Sequence, residues 1–343
     1  MTDLLRSLGV DLPVLAAPMG GGPGTPALVG AAAGAGGLGF LAGGYKSVEA
    51  LAGEIREVRA NAGMFGVNLF APNPVPVDPA AYAAYARAIR ADGEVYGLDT
   101  TTVPVTEDDD RWAEKVDLLL ADPVPVVSFT FGLPEREVIA RLERAGSLTV
   151  QTVTSAAEAR MATEAGVRAL AVQCSRAGGH SGTLTPQRPP EDVALADLVQ
   201  AVRAASPLPV VAAGGIGTGE DVRRALAAGA DAVAVGTVLI RCQESGATAT
   251  HRDALADPAR TRTVVTRCFT GRPARALSND FVARYDALAP SGYPALHHLT
   301  SPMRKAAAAA GDAERVHLWA GTGFRHATAE PARVILERLA ASL

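Results

Sequence analysis

Cysteine is scarce in this chain: Cys174, Cys242 and Cys268 are the only three in 343 residues. They lie too far apart for a disulfide framework or a paired-cysteine metal site, which points to a reducing, cytoplasmic setting. Aromatic residues make up only 5%, so the core must be mostly Ala, Val and Leu. There is no run of Lys or Arg, and the net charge is −4. The basic face of a nucleic-acid binder is therefore missing. Residues 1–13 carry Asp3 and Asp11 and lack the apolar core of a signal peptide. The apolar run 27–44 is rich in Gly and Ala, whereas a membrane span needs about 20 strongly apolar residues. A buried helix and strand are expected there, with no membrane contact. Five histidines (His251, His297, His298, His317 and His326) pair with no carboxylate or cysteine at ligand spacing, so no metal site is expected. The acidic run 107–110 reads as a solvated loop, and Cys174 as a buried structural thiol.

Glycine and apolar residues are plentiful: 35 Gly and 48% apolar content. They fall in a rhythm. Short apolar strands are expected at 14–18, 36–44, 65–70, 124–131, 148–153, 169–174, 209–213 and 231–235. Helical stretches separate most of them, at 27–35, 48–61, 134–145, from Ser155 to Gly166, 191–205 and 220–228, with 238 onward again helical. Most strands are apolar throughout, as in parallel strands covered by helices. Eight such units favour a closed (β/α)8 TIM barrel over an open doubly wound sheet. Extra helices are expected at 79–91 and 111–121, with 92–110 irregular. The last 80 or so residues are arginine-rich and helix-prone, and are expected to pack on or beside the barrel.

Chemistry in a barrel belongs at the C-terminal strand ends. There the chain places Met19, Asn68, Ser128, Thr130, Thr152 and Gln173. After strands seven and eight come two glycine loops, AAGGIGTGEDV and AVGTVLI. Their bare N–H groups and helix starts suit a phosphate. No Walker A lysine occurs, and the GAGGLG at 34–39 precedes a strand rather than a helix, which excludes a dinucleotide fingerprint. Gln173 and Asn68 suit either a flavin edge or a local cap. His180 follows Ala177-Gly178-Gly179 in an open loop, the setting of a general base.

These pieces resemble the nitronate monooxygenases, once called 2-nitropropane dioxygenases. The resemblance rests on APMGGGPGTPALVGAAAGAGGLGFLAGG, FGVNLF, VVSFTFG, QCSRAGGHSGT, AAGGIGTGEDVRRALAAGADAVAVGTVLI, TGRPARALSNDF and HLWAGTG, in that order over most of the chain. It implies an FMN-dependent (β/α)8 barrel from 1–70 and 123–260. A helical insertion at 71–122 would cover the site, and a C-terminal extension at 261–343 would pack on barrel and site. It implies FMN contacts at Ala17, Pro18, Met19, Asn68, Gln173, Gly178 and Gly179. The phosphate would be held by Gly214, Gly215, Gly217, Gly236 and Thr237, continuing into Val238 and Leu239. His180 falls on the catalytic histidine. Ala16 and Arg176 depart from the residues common in the family, glutamine and glutamate, and Arg176 would add positive charge near the base.

The expected activity is oxidation of an alkyl nitronate or nitroalkane by FMN and O2, giving a carbonyl compound and nitrite. The protein would be a monomer or homodimer. Tyr285, Tyr293, Lys305 and Trp319 are candidates for the substrate pocket. A related FMN-dependent NAD(P)H reductase, for an enoyl thioester or quinone, shares the same signals. A flavin-free barrel enzyme with a phosphate-bearing substrate, or a non-catalytic flavin binder, would also carry the two glycine loops.

Overall fold

The structure is a computed structural model and describes residues 8–341 and 343. Residues 1–7, on which the reading of the amino terminus partly rests, lie outside the described residues. Barrel strands β1 (Val14–Ala16), β2 (Phe40–Ala42), β3 (Gly66–Ala71), β4 (Val126–Phe131), β5 (Leu148–Val153) and β6 (Ala169–Gln173) are followed by the short β7 (Gly179–His180), which leaves the barrel. The barrel resumes with β8 (Val210–Ala213) and β9 (Ala232–Val235). The eight parallel strands run β1-β9-β8-β6-β5-β4-β3-β2. The ends of this sheet meet at a parallel bridge between Ala16 and Gly39, where Ala16 N–H donates to Leu38 O at 2.9 Å. This is the expected TIM barrel.

Local chemistry starts the helices where the sequence marks them. Thr25 accepts from Leu28 N, with Pro26 in the first turn. Ser47 accepts from Ala50 N and Ser155 from Glu158 N. Thr218 and Asp221 form a reciprocal capping box. Each cap satisfies an N–H that a helix start leaves free, worth about 1 kcal/mol. The apolar run 27–44 resolves into the helix Pro26–Gly34 and β2. A Cβ on Gly39 would stand 2.8 Å from the Val29 Cα, so only glycine lets strand and helix touch there. No helix among the described residues is long and apolar enough to cross a membrane.

Four expectations are corrected. The helix expected at 191–205 begins at Leu195, because Ala194 is still extended and carries no side-chain cap. The helix expected from 238 is only the 3-10 turn Thr237–Leu239, and the next helix is Ala249–Ala256. Between them Gly246 passes Gly22 so closely that a Cβ would lie 2.5 Å from the Gly22 carbonyl, a crossing that a helix would prevent. The helix expected at 79–91 breaks at Ile89 into Pro79–Ala88 and Arg90–Glu94, and a 3-10 turn Thr100–Thr102 lies in the stretch read as irregular. The C-terminal segment is not simply helical. It contains β10 (Thr263–Thr266) and β11 (Ala274–Leu277), antiparallel to each other, and β11 pairs antiparallel with β7. That pairing links partners about ninety residues apart, beyond the reach of local periodicity.

Candidate active site

The C-terminal ends of the barrel strands open into a cavity of about 1480 Å³. Ala17, Pro18, Met19, Asn68, Gln173, Gly178, Gly179 and His180 line it, as do Gly214, Gly215, Gly236 and Thr237. Gly217, Val238 and Leu239 do not line this cavity. Gly217 N–H is taken by Asp221 Oδ2 at 3.1 Å in the capping box. Val238 and Leu239 are buried in the core, and Leu239 N–H donates to Gly236 O at 2.8 Å.

The two glycine loops form a cradle of backbone. Gly214 and Gly215 have φ of +120° and +74°, a region that strains any other residue. A Cβ on Gly215 would stand 2.9 Å from Thr322 Oγ1 and 3.1 Å from Arg176 Cβ. The N–H groups of Gly215, Gly236 and Thr237 have no protein acceptor among the described residues. Thr237 Oγ1 accepts from Gly321 N–H at 2.9 Å, tying the cradle to the C-terminal segment. Arg176 lies beside this cradle, with its side chain half exposed and Nε 4.0 Å from Asp192.

His180 is held from both sides. Its backbone pairs with Ala274 in β11. Gln173 donates from Nε2 to His180 O at 3.1 Å and accepts at Oε1 from Gly182 N–H at 2.7 Å. That glutamine is thus first a clamp on the loop. Buried Glu158 grips the far end, accepting from Leu184 N–H at 2.7 Å and Thr183 Oγ1 at 2.9 Å. Asn68 donates both amide hydrogens, to Ser128 Oγ at 2.9 Å and Thr130 Oγ1 at 3.0 Å, which leaves its carbonyl oxygen free to accept. The His180 ring sits among Phe131, Trp319 and Tyr293, with centroids at 5.5, 5.3 and 5.8 Å. Its Nε2 is 2.9 Å from Thr270 Oγ1.

The charges nearest the ring come from the C-terminal segment. Arg272 is fully buried, donates from Nη2 to Thr183 O at 2.5 Å and lies 4.1 Å over the Phe131 ring. Arg304 lines the cavity and donates to Thr300 Oγ1 at 3.0 Å and His297 O at 3.0 Å. Neither makes an ion pair with a carboxylate among the described residues; burial lowers both to about 10. Burial first, then the charges of Arg272 and Arg304, pushes His180 down to about 3. The ring is neutral at ordinary pH and can accept a proton. The cations bearing on it are therefore Arg272 and Arg304; Arg176 is not among them.

Sequence reasoning missed how many histidines converge. His251, His297, His298 and His317, read from the sequence only as not forming a metal site, all line the cavity. Burial holds His251 down to about 4 and His297 and His317 well below the usual range. His297 stacks on Tyr45 at 4.1 Å, and Tyr45 accepts from Tyr293 Oη at 3.1 Å. His298 bonds Asp108 at 2.7 Å, so the acidic run helps rim the mouth. No three His, Cys, Asp or Glu side chains among the described residues are grouped as metal ligands. Of the four C-terminal candidates, Tyr293, Lys305 and Trp319 line the cavity, whereas Tyr285 bonds Asp92 away from it. Cys174 is buried, with its thiol 3.6 Å from Gly214 O. Thr270 and Arg272 lie in the stretch TGRPARALSNDF, but the sequence assigns no role to them or to Arg304, since Thr-Gly-Arg-Pro by itself reads only as a turn.

Comparison with known proteins agrees with this geometry. A family model described as nitronate monooxygenase matches residues 2–342. A probable nitronate monooxygenase of Staphylococcus aureus (strain Newman) is 35% identical over 341 residues, covering 98% of this chain and 95% of that protein. The solved nitroalkane oxidase of Streptomyces ansochromogenes superposes with a TM-score of 0.92 at 47% identity, over 98% of this chain and 96% of its own. FabK of Thermotoga maritima superposes with a TM-score of 0.77 at 26% identity, over 99% and 94%.

Proposed function

Since the chain belongs to the nitronate monooxygenase family, and is accordingly an oxidoreductase acting on nitro compounds, we propose that it oxidises alkyl nitronates or nitroalkanes with FMN and O2. The products are a carbonyl compound and nitrite, and His180 is the base. The observation that carries this is a neutral histidine on the cavity wall beside two buried arginines that lack carboxylate partners. Buried unpaired cations favour an anionic ligand.

The residues present fit FMN. Support for its phosphate comes from the Gly215 cradle, which a Cβ would fill, and from the free N–H groups of Gly215, Gly236 and Thr237. Ala17, Pro18 and Met19 with Gly178 and Gly179 would flank the ring system, and the free Asn68 oxygen would accept from its pyrimidine edge. Gly214 shapes the loop. Gln173 would serve mainly by holding His180 in place. When bound, FMN supplies the electron-accepting chemistry that side chains lack. On this reading 71–122 covers the site, and 261–343 packs on both barrel and site.

With a neutral nitroalkane, His180 takes the proton from the carbon that bears the nitro group. Arg304 favours the nitronate charge that develops, even as it disfavours the imidazolium. With a preformed nitronate no proton need move, and the same cation binds the anion. Phe131, Tyr293 and Trp319 keep water from the reacting carbon. Anaerobic mixing of the flavin-loaded enzyme tests this. Bleaching of the flavin by a nitronate and not by NADH is expected. Bleaching by NADH alone would overturn the proposal in favour of a reductase.

A further inference from the structure

The hydrogen bond at His180 Nε2 determines which ring nitrogen is basic. A neutral imidazole has one N–H and one lone pair, and the neighbours of its two nitrogens choose between them. Nε2 faces the hydroxyl of Thr270 at 2.9 Å. That hydroxyl is buried, and its other contact is the Arg272 carbonyl at 3.4 Å, which can only accept. Nδ1 has no protein partner among the described residues. It is not among the buried unpartnered atoms either, so it opens on the cavity that His180 lines.

Two proton arrangements are possible, and they can be counted. In one, Nε2–H donates to Thr270 Oγ1, the hydroxyl donates to Arg272 O, and Nδ1 presents a lone pair to the cavity. In the other, the hydroxyl donates to Nε2, Arg272 O gains nothing, and Nδ1–H points at no protein acceptor. The first satisfies one more polar group, the carbonyl of the buried Arg272, where an unmade bond is costly. It also survives the reaction, since the imidazolium keeps Nε2–H on Thr270. Turning the ring over is opposed by loss of the Thr270 bond and by the packed rings of Phe131, Tyr293 and Trp319.

We propose that Thr270 is a positioning residue: it holds the resting proton on Nε2 and so makes Nδ1 the atom that removes the substrate proton. The inference rests on the nitroalkane chemistry proposed above. In that step the substrate C–H bond breaks, the proton passes to Nδ1, and the electron pair remains on the nitronate. Thr270 acts through the His180 ring rather than on the reacting atoms. Its role is specific to the proton transfer, and a preformed nitronate bypasses that step.

The test compares neutral nitroethane with ethylnitronate in the flavin-loaded enzyme and its Thr270→Val and Thr270→Ser variants. Thr270→Val is expected to lower the ratio of kcat/KM for nitroethane to that for ethylnitronate by about tenfold, and Thr270→Ser to restore it to within about twofold. A ratio unchanged in Thr270→Val, in an enzyme whose nitroethane turnover is lost in His180→Gln, overturns the role of Thr270 and leaves the proposed function intact. If the wild-type enzyme turns over neither compound, the proposed function fails instead. Nitrogen NMR of the histidine-labelled wild-type protein, with His180 assigned from the His180→Gln spectrum, then still decides about Thr270. A proton on Nε2 supports the inference, and a proton on Nδ1 overturns it.

Discussion

The barrel and the C-terminal segment face one cavity and furnish it differently. The barrel contributes backbone and small uncharged groups: the cradle of Gly214, Gly215 and Gly236, the Asn68 carbonyl and the Gln173 clamp. The segment beyond residue 260 contributes Arg304, Thr270, Tyr293, His297 and Trp319 to the wall, with Arg272 buried behind it; Arg272 and Arg304 are the two charges that bear on the base. His180 belongs to the barrel by sequence but to the C-terminal sheet by pairing. On the proposed function the barrel would mainly hold the flavin, and the C-terminal segment would set the charge around the base and the substrate. A lesion in one should leave the other's contribution measurable.

The sharpest break is at the hinge of the two. His180→Gln should lower nitroalkane turnover by about 10²–10⁴, with FMN retained. Steady-state rates beside the flavin content of the purified protein check this. Next comes the C-terminal side alone. Arg304→Met removes a buried cation from the cavity wall and should raise KM for a nitronate by about 10- to 100-fold, the worth of a charge-assisted hydrogen bond. His180 should then become easier to protonate, since Arg304 is one of the two charges holding it low. A KM unchanged for the anion would separate Arg304 from substrate binding. The barrel side is weaker. Gly215→Ala forces a side chain onto a backbone at φ +74° beside Thr322, and should loosen FMN about tenfold while the loaded enzyme keeps most of its rate. Fluorescence titration of the apoprotein with FMN measures this.

The same division explains what could be read from the sequence. The barrel was legible because its signals are local. Thr25-Pro26, Ser47 and Ser155 mark helix starts, and apolar runs such as VPVVSFTF mark buried strands. Gly214, Gly215 and His180 stood out because glycines and a histidine at strand ends are meaningful without knowledge of their neighbours. The C-terminal segment was legible only in part: Tyr293, Lys305 and Trp319 were candidates and do line the cavity, but its strands and buried charges were not legible. Arg272 is a fully buried charge, and a scattered arginine reads as a solvated face. Its burial depends on the carbonyl of Thr183, nearly ninety residues away. Thr263–Thr266 and Ala274–Leu277 pair with each other, and the second also pairs with the distant β7, a partner that local periodicity does not show. The two glycine loops were legible as a pair, but that the Gly217 N–H serves a helix cap was not. That distinction lies in one side-chain rotamer of Asp221.

The smallest effect on turnover is expected where the 71–122 segment is pinned to the C-terminal one. Asp92 is buried and accepts from Tyr285 Oη at 2.5 Å, Arg284 Nη2 at 2.6 Å and Arg315 Nε at 2.6 Å. Burial pushes its carboxyl up, but the three donors and the Arg284 charge outweigh that, and it titrates below its ordinary value. A carboxyl whose folded value is depressed stabilises the fold above its unfolded value, about pH 4, and loses that contribution as pH falls through the folded value. Asp92→Asn keeps the shape and removes the charge. It should cost roughly 2–3 kcal/mol at neutral pH, the worth of a buried charge-assisted bond, with turnover changed less than about twofold. The gap in denaturation midpoint between wild type and Asp92→Asn should narrow as pH falls below about 4, where the unfolded chain's carboxyl protonates, and be lost once the pH is below the depressed folded value. A gap that stayed constant down to about pH 2 would mean that Asp92 acts through shape rather than charge. Turnover falling in step with stability would mean that this junction shapes the cavity as well as holding the two segments together.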